Sequence, residues 1–288
     1  MTLLGRIIRW KDWGIEYEAD PKQRKLICEQ FGFDGGTRSL QTNGGAEAEE
    51  GDEEYLGSEE ARTYRATAAR VNYLSQDTPD LMFGTKEGCR GMANPTRGDW
   101  RKLKRIARYL CGREAVRWKY VWQDEGARMK VFTDSDWAGC RKTRKSSSGG
   151  LIMVGSHCLR AWCSTQGALA LSSAEAEYYS MVEGVLRARG LQNIGREIRM
   201  PGSEEGVQLY LWVDSSAAKS FVSKRGAGKM RHMEVRWLWL QEEVRRGRVK
   251  VEKVWGPWNP ADLMTKYLTG KEVDERSERM CLEADRRG

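Results

Sequence analysis

The sequence predicts a mixed α/β fold whose main sheet follows the order βββαβααβα. Three strand patterns follow one another after Gly126, at residues 129–134, 151–155 and 158–164, and short Gly or Ser turns separate them. A long helical pattern then begins at Ser173. From there strand and helix patterns alternate, and this succession is typical of a sheet with helices packed on it.

The elements after the long helix follow in a regular order. The sequence predicts a strand at residues 208–214, helices at 216–222 and 232–246, a strand at 249–255 and a helix at 260–268. We expect the first three strands to form an antiparallel meander, because their connections are short. Together with the later strands they form a mixed sheet.

The chain before this sheet is predicted to be mainly helical. A strand-like run at residues 6–10 and a helix at 21–31 form a piece that is too small to fold alone. Residues 37–58 are rich in Gly, Thr, Asn and acids, and they have too few apolar side chains to offset their ordering entropy. Two amphipathic helices are predicted at 61–74 and 99–110.

These patterns divide the chain into five segments. They are an N-terminal piece at 1–36, an acidic disordered linker at 37–58, a helical segment at 59–126, the α/β domain at 127–270 and a charged, poorly patterned tail at 271–288. The hydrophobic content of 40% over 288 residues is sufficient for a packed core.

The charge of the chain indicates a polyanionic partner, with nucleic acid as the obvious candidate. The formal net charge is +8 although residues 47–54 carry six acids, so the remainder is more basic than the average. The helix predicted at 99–110 has a basic face, which fits either phosphate contact or an ordinary solvated surface. Its cations are Arg101, Lys102, Lys104, Arg105 and Arg108.

Several protein classes are disfavoured by the sequence. No stretch approaches the roughly 18 apolar residues of a membrane span, and charges at Arg6, Arg9 and Lys11 make a poor signal peptide. We therefore expect an intracellular protein without membrane attachment, and the sequence leaves cytoplasm or nucleus open. The seven cysteines include no Cys-x-x-Cys pair, so we expect reduced thiols without zinc.

Four carboxylates at the ends of predicted elements are the candidate functional residues: Asp134, Glu177, Asp214 and Asp262. Each also has a structural alternative or competitor. Asp134 fits a turn after its strand, Asp214 fits a helix N-cap, and Asp262 fits the first turn of a helix capped by Asn and begun by Pro. Glu177 competes with Glu175, which fits a capping box with Ser172, whereas Glu177 lies beside the apolar stripe of its helix.

Four segments together carry a resemblance to a known family. They are residues 132–139 (Phe-Thr-Asp-Ser-Asp-Trp-Ala-Gly), 144–150 (Arg-Lys-Ser-Ser-Ser-Gly-Gly), 170–178 (Ala-Leu-Ser-Ser-Ala-Glu-Ala-Glu-Tyr) and 259–266 (Asn-Pro-Ala-Asp-Leu-Met-Thr-Lys). As a set they resemble the ribonuclease H domain of copia-type LTR retrotransposon Pol polyproteins. The fold implied is a ribonuclease H-like mixed sheet.

The resemblance extends upstream. Residues 64–74, 78–80 and 93–110 look like the end of the adjoining reverse transcriptase, which makes 1–36 a reverse-transcriptase remnant and 59–126 a thumb- or connection-like segment. The sequence contains no Tyr-x-Asp-Asp polymerase signature, so we expect no polymerase activity. The missing reverse-transcriptase portion is a possible partner.

The resemblance implies a metal-dependent nuclease that hydrolyses the RNA strand of RNA:DNA hybrids. Asp134, Glu177, Asp214 and Asp262 would hold two Mg²⁺ ions, with Mn²⁺ as an alternative, and no small-molecule cofactor is implied. Asp136 fits either an assisting role or a turn. Related enzymes of other lineages carry a His before the last acid, whereas this chain has Trp255 and Trp258 there.

Basic side chains are candidates for holding the hybrid, although each also fits a solvated surface. They are Arg141, Lys142, Arg144, Lys145, Lys224, Arg225, Lys229 and Arg231. His232 fits a structural or phosphate-facing role better than catalysis. Trp255 and Trp258 flank the last acid and fit contact with a base or sugar. Two alternatives stay open: an inactive nucleic-acid-binding remnant, and an interaction module.

Overall fold

The structure, a computed structural model, describes residues 1–34, 36–45, 49–123, 128–140, 142–199, 207–226 and 233–286. The chain divides into two compact units. Unit 1 consists of Met1–Trp122 together with Lys266–Gly288, and unit 2 consists of Gln123–Thr265. Unit 1 is therefore discontinuous in sequence, and unit 2 is inserted between its two parts.

The strands and α-helices are as follows in chain order: β1 (Thr2–Leu3), β2 (Arg6–Lys11), β3 (Gly14–Glu18), α1 (Pro21–Gln30), α2 (Ser58–Ser75), α3 (Pro79–Cys89), α4 (Arg97–Cys111), β4 (Arg113–Val121), β5 (Met129–Asp136), β6 (Ser147–Val154), β7 (His157–Thr165), α5 (Ser173–Glu197), β8 (Leu209–Val213), α6 (Ser216–Val222), α7 (Trp239–Arg245), β9 (Val249–Lys253), α8 (Gly270–Glu278) and β10 (Leu282–Arg286). Three 3₁₀ helices lie at Val235–Leu238, Gly256–Trp258 and Pro260–Met264.

Unit 1 is built on an antiparallel sheet with a layer of helices. The strand order is β1-β2-β3-β4-β10, and every neighbouring pair is antiparallel. The helical core is formed by large buried side chains from α1, α2 and α4, including Ile27, Tyr64, Leu103 and Ile106. The capping box of Thr96 and Asp99 fixes the start of α4.

Unit 1 differs from the sequence prediction where strands pair over a long distance. The segment predicted as helical at 59–126 ends in β4, and the predicted tail at 271–288 contains α8 and β10. Leu282 of β10 lies opposite Trp118 of β4, and both side chains are buried. β10 is rich in charged residues and has no strong local strand pattern. It is stabilised by pairing with β4, which is far away in sequence.

The segment predicted as a disordered linker also differs. Residues 36–45 and 49–58 are described, and they follow the surface of α4. The backbone N–H of Leu40 donates to the Arg108 carbonyl at 3.3 Å, and Leu56 N–H donates to the Pro95 carbonyl at 2.9 Å. These bonds, together with ion pairs to α4, offset part of the ordering entropy that the composition alone leaves uncompensated.

Unit 2 has the mixed sheet that the sequence predicts. The strand order is β7-β6-β5-β8-β9. β5, β6 and β7 form an antiparallel meander, whereas β8 is parallel to both β5 and β9. The helix α5 packs on β5 and β6, and the core between them includes Val131, Met181, Val185 and Leu211. The predicted α/β class is confirmed.

The β6 strand is longer than predicted. It contains two glycines, which are unfavourable in the interior of a strand but are required at these positions. It begins at Ser147 and includes Gly149 and Gly150, which the sequence suggests as a turn. A Cβ atom on Gly149 would lie 2.6 Å from Thr265 Cγ2 and 2.7 Å from Met264 Cβ. Glycine therefore permits the close approach of the 3₁₀ segment Pro260–Met264 to the sheet.

Two other predicted elements are shorter in the structure. The helix predicted at 232–246 is a 3₁₀ helix at Val235–Leu238 followed by α7, and the helix predicted at 260–268 is only the 3₁₀ segment Pro260–Met264. Thr265 N–H bonds to the Asp262 carbonyl, three residues back, which closes the segment in the tighter geometry.

Over the described parts of the chain, we find no helix with the length and apolar character that crossing a bilayer requires.

Candidate metal centre

Three of the four predicted carboxylates meet at one edge of the unit 2 sheet. Asp134, Glu177 and Asp214 each offer one oxygen, and these oxygens lie within 4.8 Å of one another. β5 and β8 are parallel neighbours, so Asp134 near the end of β5 and Asp214 just after β8 lie at the same edge. The first turns of α5 bring Glu177 to that edge. The group has the oxygen donors that hard divalent cations prefer.

Asp134 is a buried strand residue rather than a turn residue. It lies opposite Gly149 in the β5–β6 ladder and is 2% exposed. Its backbone carbonyl accepts a hydrogen bond of 2.7 Å from Ser180 Oγ on α5. The Thr265 hydroxyl donates to Asp134 Oδ2. The turn alternative is therefore wrong for Asp134. Its carboxylate is held by Thr265, which is the last residue of unit 2 in sequence.

Glu177 is buried, and its two carboxylate oxygens have different surroundings. Oε1 accepts hydrogen bonds from the Ser135 N–H at 3.2 Å and from Ser135 Oγ at 2.9 Å. Within the described part of the chain, Oε2 is buried and has no hydrogen-bond partner. Burial, followed by the charges of Asp134 and Asp214, raises the pKa of Glu177 well above its ordinary value.

The Ser172 N-cap of α5 forms as predicted, whereas the carboxylate of Glu175 bonds the Leu171 N–H, one residue before the position that the predicted capping box requires. The Glu175 N–H donates to Ser172 Oγ at 3.2 Å, which makes Ser172 the N-cap of α5. Its carboxylate accepts from the Leu171 N–H at 3.0 Å and from the Tyr179 hydroxyl at 2.6 Å. These bonds occupy both carboxylate oxygens of Glu175 at the start of α5. Glu177 is therefore the acid of this helix that lies together with Asp134 and Asp214.

Asp214 is not the N-cap of the helix that follows it. The cap of α6 is Ser215, whose Oγ accepts from the Ala218 N–H at 3.2 Å. Asp214 is half-buried, and a Cβ placed on Gly256 would lie 3.7 Å from its Oδ2. The N-cap alternative is therefore wrong for Asp214, whose carboxylate lies next to the turn at Gly256–Trp258.

Asp262 is buried in a neighbouring segment and is not a member of the three-carboxylate group. The start of its 3₁₀ segment is capped as predicted, because Asn259 Oδ1 accepts from the Ala261 N–H at 3.1 Å. Asn259 Nδ2 also donates to the Thr133 carbonyl at 3.0 Å. The segment that carries Asp262 is thereby attached to β5 beside Asp134.

Three further residues position the site, and only Asn259, as a helix cap, had a role assigned from the sequence. Ser135 holds Glu177, Thr265 holds Asp134, and Asn259 attaches the last segment to the sheet. All three lie inside the motifs at 132–139 and 259–266, so the motifs contained the signal. Asp136 fills the space where a Cβ of Gly139 would lie, which fits its turn alternative.

The predicted basic residues are distributed unevenly around this edge. Lys142 and Arg144 are exposed on the connection between β5 and β6, at the same end of β5 as Asp134. Lys224 and Arg225 are exposed after the C-terminal end of α6, the end opposite to Asp214. Lys145 is half-buried. Four residues that the sequence singled out lie outside the described residues: Arg141, Lys229, Arg231 and His232.

Two tryptophans flank the turn beside Asp214. Trp255 is 67% exposed and Trp258 is 58% exposed, although indole rings of this size are usually buried. Their ring centroids are 6.3 Å apart and the rings are tilted by 50°. The Trp258 N–H donates to the Trp255 carbonyl at 2.7 Å, which fixes the turn that presents both rings.

Comparison with known proteins identifies relatives of this chain. No protein-family model matches it. An uncharacterized mitochondrial protein of Arabidopsis thaliana is 30% identical over 118 residues, which are 41% of this chain and 49% of that protein. The retrovirus-related Pol polyprotein from transposon TNT 1-94 of Nicotiana tabacum is 30% identical over 192 residues, which are 66% of this chain and 14% of the polyprotein. The chain thus spans less than half the length of either relative.

A solved structure with similarity to this chain is the N-terminal RNase H domain of a Mycobacterium tuberculosis protein, determined as a fusion with maltose-binding protein. The identity is 14% and the TM-score is 0.32, with 53% of this chain and 97% of that chain covered. The prediction of a family rested on the four motifs at 132–139, 144–150, 170–178 and 259–266. The homologues of this chain are retrovirus-related Pol polyproteins of transposons, as these motifs predicted.

Proposed function

We propose that this chain is a divalent-metal-dependent nuclease that hydrolyses the RNA strand of RNA:DNA hybrids. The observation that carries the proposal is the group of Asp134, Glu177 and Asp214, in which a buried oxygen of Glu177 has no hydrogen-bond partner among the described residues. Descent from transposon Pol polyproteins supports the same activity, because the motifs that contain these acids resemble a ribonuclease H domain.

The residues fit a divalent cation. Three carboxylates within 4.8 Å repel one another, and burying an unpaired charge is costly. A cation removes both penalties, and the oxygen-only donor set suits Mg²⁺ or Mn²⁺ better than zinc. The raised pKa of Glu177 has the same two causes, because burial and the charges of Asp134 and Asp214 both disfavour the ionised carboxylate.

Asp134, Glu177 and Asp214 would hold the metal, and we propose two Mg²⁺ ions with Asp262 as an additional carboxylate nearby. When bound, such ions activate a water molecule and stabilise the leaving 3′ oxygen of the cleaved strand. The chain itself supplies orientation. Ser135 engages Glu177 Oε1 and leaves Oε2 directed away from that bond, while Thr265 fixes one oxygen of Asp134.

The surface around the site supports a nucleic-acid substrate. Trp255 and Trp258 present exposed rings beside Asp214, where they would stack on a sugar or base of the hybrid. Lys142 and Arg144 lie at the same end of β5 as Asp134, where they would contact phosphates. Selectivity for a hybrid would come from its shape and from the ribose 2′-hydroxyl. A reverse transcriptase is the proposed protein partner, from the polyprotein context of the homologues.

The test is cleavage of end-labelled RNA in a hybrid, with MgCl₂, MnCl₂ or EDTA. Glu177→Gln preserves the shape of the side chain and removes the charge that a metal requires, so we expect a loss of at least about 100-fold in cleavage rate. The matched control is Glu183→Gln, the same substitution two turns further along α5, where Glu183 accepts from Ser164 and Arg187. The control is expected to retain activity within about 3-fold.

Two outcomes would contradict the proposal. Equal cleavage by the wild type and Glu177→Gln would remove the carboxylate group from the mechanism. Hybrid binding without turnover in either metal would instead favour a noncatalytic nucleic-acid-binding function. The second outcome is recognised by salt-sensitive binding in EDTA that does not change when magnesium is added.

A further inference from the structure

A stripe of five cations runs along one face of α4 in unit 1. The positions are spaced by four, three, one and three residues, so they lie on one side of the helix over about 16 Å. The opposite face carries Leu103, Ile106 and Leu110, which are buried in the core. The cations, which we call the α4 stripe, are Arg97, Arg101, Lys104, Arg105 and Arg108. Lys102 is not part of it and pairs with Asp99 at 2.9 Å.

An acidic segment of the same unit covers the N-terminal half of this stripe. Residues 49–56, which we call the acidic strap, place Glu49 and Asp52 in ion pairs with Arg101. Glu54 Oε2 lies 2.8 Å from Arg97 Nε. The strap is also held by its backbone, because the Gly98 N–H donates to the Asp52 carbonyl at 3.0 Å and the Arg97 N–H donates to the Glu54 carbonyl at 2.9 Å.

The C-terminal half of the stripe is bonded to the chain that precedes the strap. Arg105 Nε donates to the Gly44 carbonyl at 2.7 Å, and Arg108 donates to the Arg38 carbonyl at 3.3 Å. These acceptors are neutral and do not themselves compensate the positive charges of Arg105 and Arg108. Compensation by acids is concentrated at Arg97 and Arg101, where the strap supplies three carboxylates.

Two of the three strap carboxylates, Glu49 and Glu54, make contacts that a polyanion can replace, whereas Asp52 is only 20% exposed. Glu54 and Glu49 are largely exposed, and exposed ion pairs are individually weak and are screened by salt. A nucleic-acid duplex presents one phosphate charge per roughly 1.7 Å of its axis, which is far denser than the strap. Arginine also binds phosphate through two parallel hydrogen bonds, as it does a carboxylate.

We propose that the α4 stripe is a binding surface for the phosphate backbone of a nucleic-acid duplex, and that the acidic strap is its intramolecular competitor. In the free chain the strap occupies Arg97 and Arg101. A bound duplex displaces the strap carboxylates and takes up these cations together with Lys104, Arg105 and Arg108. The stripe belongs to unit 1 and the carboxylate group to unit 2, and binding to the stripe does not depend on catalysis.

The test compares two variants of the full chain that have the same net charge. The strap variant is Glu49→Gln/Asp52→Asn/Glu54→Gln. The control is Glu29→Gln/Glu59→Gln/Glu278→Gln, which neutralises three exposed acids of unit 1 that form no ion pair with the stripe among the described residues. The probe is a fluorescently labelled RNA:DNA duplex, and affinity is measured by anisotropy in EDTA over a series of salt concentrations.

We expect the strap variant to bind at least about 5-fold more tightly than the wild type near 0.1 M salt. Its plot of log affinity against log salt concentration should be steeper by an amount that corresponds to about two additional phosphate contacts. The control should gain less than about 2-fold, because it adds only diffuse attraction. Equal gains in the two variants would overturn the proposal, as would a strap variant that binds no more tightly than the wild type.

A double-mutant comparison keeps the result interpretable if the strap variant is less stable. Lys104→Gln/Arg105→Gln/Arg108→Gln is introduced into the wild type and into the strap variant, and circular dichroism checks that each is folded. The proposal requires a larger loss of affinity in the strap variant, where the stripe is open, than in the wild type. Equal losses in both backgrounds would contradict competition by the strap. Failure of hybrid cleavage leaves this measurement unaffected.

Discussion

Two buried acidic sites in this molecule are built in opposite ways. In unit 1, Asp80 is 5% exposed, and its Oδ2 accepts a hydrogen bond of 2.5 Å from the Tyr109 hydroxyl and lies 3.2 Å from Arg113. In unit 2, the charges that act on buried Glu177 are those of two further acids, Asp134 and Asp214. One site neutralises its carboxylate internally, and the other accumulates negative charge.

The difference separates a structural role from a functional one. A carboxylate paired with arginine has its charge compensated inside the fold, as Asp80 does with Arg113. A group of buried acids reduces the free energy of unfolding unless a cation joins it. The fold tolerates this cost at Asp134, Glu177 and Asp214, which is the usual sign of a site that serves binding or chemistry.

The largest effect is expected from breaking the internally neutralised site. Arg113→Met leaves Asp80 buried without its cation, and it should lower the free energy of unfolding by about 3–5 kcal/mol. Arg117→Met is the matched control, because Arg117 lies on the same strand with 27% of its side chain exposed, and its buried partner Glu18 keeps an ion pair with Arg9. It should cost about 1 kcal/mol or less. Equal losses in urea denaturation would contradict the role assigned to Arg113.

The second prediction concerns the site that lacks an internal cation. Adding MgCl₂ or MnCl₂ at about 100 times the dissociation constant should stabilise the wild type by about 2.7 kcal/mol, because the metal binds only the folded chain. Asp214→Asn should lose most of this gain, whereas Glu183→Gln should retain it. Thermal denaturation with and without EDTA measures the effect. An unchanged midpoint in the wild type would contradict a metal site here.

The third prediction is that Glu177→Gln stabilises the metal-free chain while abolishing cleavage. The pKa of Glu177 is raised in the folded state, so the contribution of this group to stability is fully present below the unfolded pKa of about 4.3 and is lost as pH rises through the folded pKa. Glutamine avoids this loss. We expect a gain of about 1–2 kcal/mol in EDTA at the highest pH tested, and a smaller gain as the pH falls toward the unfolded pKa of about 4.3. A gain that is independent of pH would contradict the assignment.

The smallest effect is expected at a hydroxyl that positions Asp134. Thr265→Val removes the hydrogen bond to Asp134 Oδ2 and should cost about 0.5–1 kcal/mol, with a several-fold decrease in cleavage. Thr133→Val is the control, because the buried Thr133 hydroxyl has no hydrogen-bond partner among the described residues. It should be neutral. If both substitutions lower the free energy of unfolding equally, the hydrogen bond from Thr265 does not position Asp134.

The comparison also shows where sequence patterns were sufficient. In unit 2 the helix starts at Ser173 and Ser216 are as predicted, since capping residues and apolar spacing are local signals. In unit 1 the pairing of β10 with β4 was not predicted, because its stabilisation comes from a strand more than 150 residues away. Likewise the acidic strap was predicted to be disordered, because its stabilising cations lie on α4 rather than within the segment.

The sequence by itself determined the mixed α/β class, the acids to examine and the distinction between Glu175 and Glu177, because each follows from residues within a few positions of one another. Only the tertiary structure decided that Asp134, Glu177 and Asp214 converge, that Ser215 rather than Asp214 caps α6, and that Asp262 lies outside the group. It also revealed the strap on α4. The physical reason is that charge compensation acts through space, and no local pattern records which distant side chain will supply it.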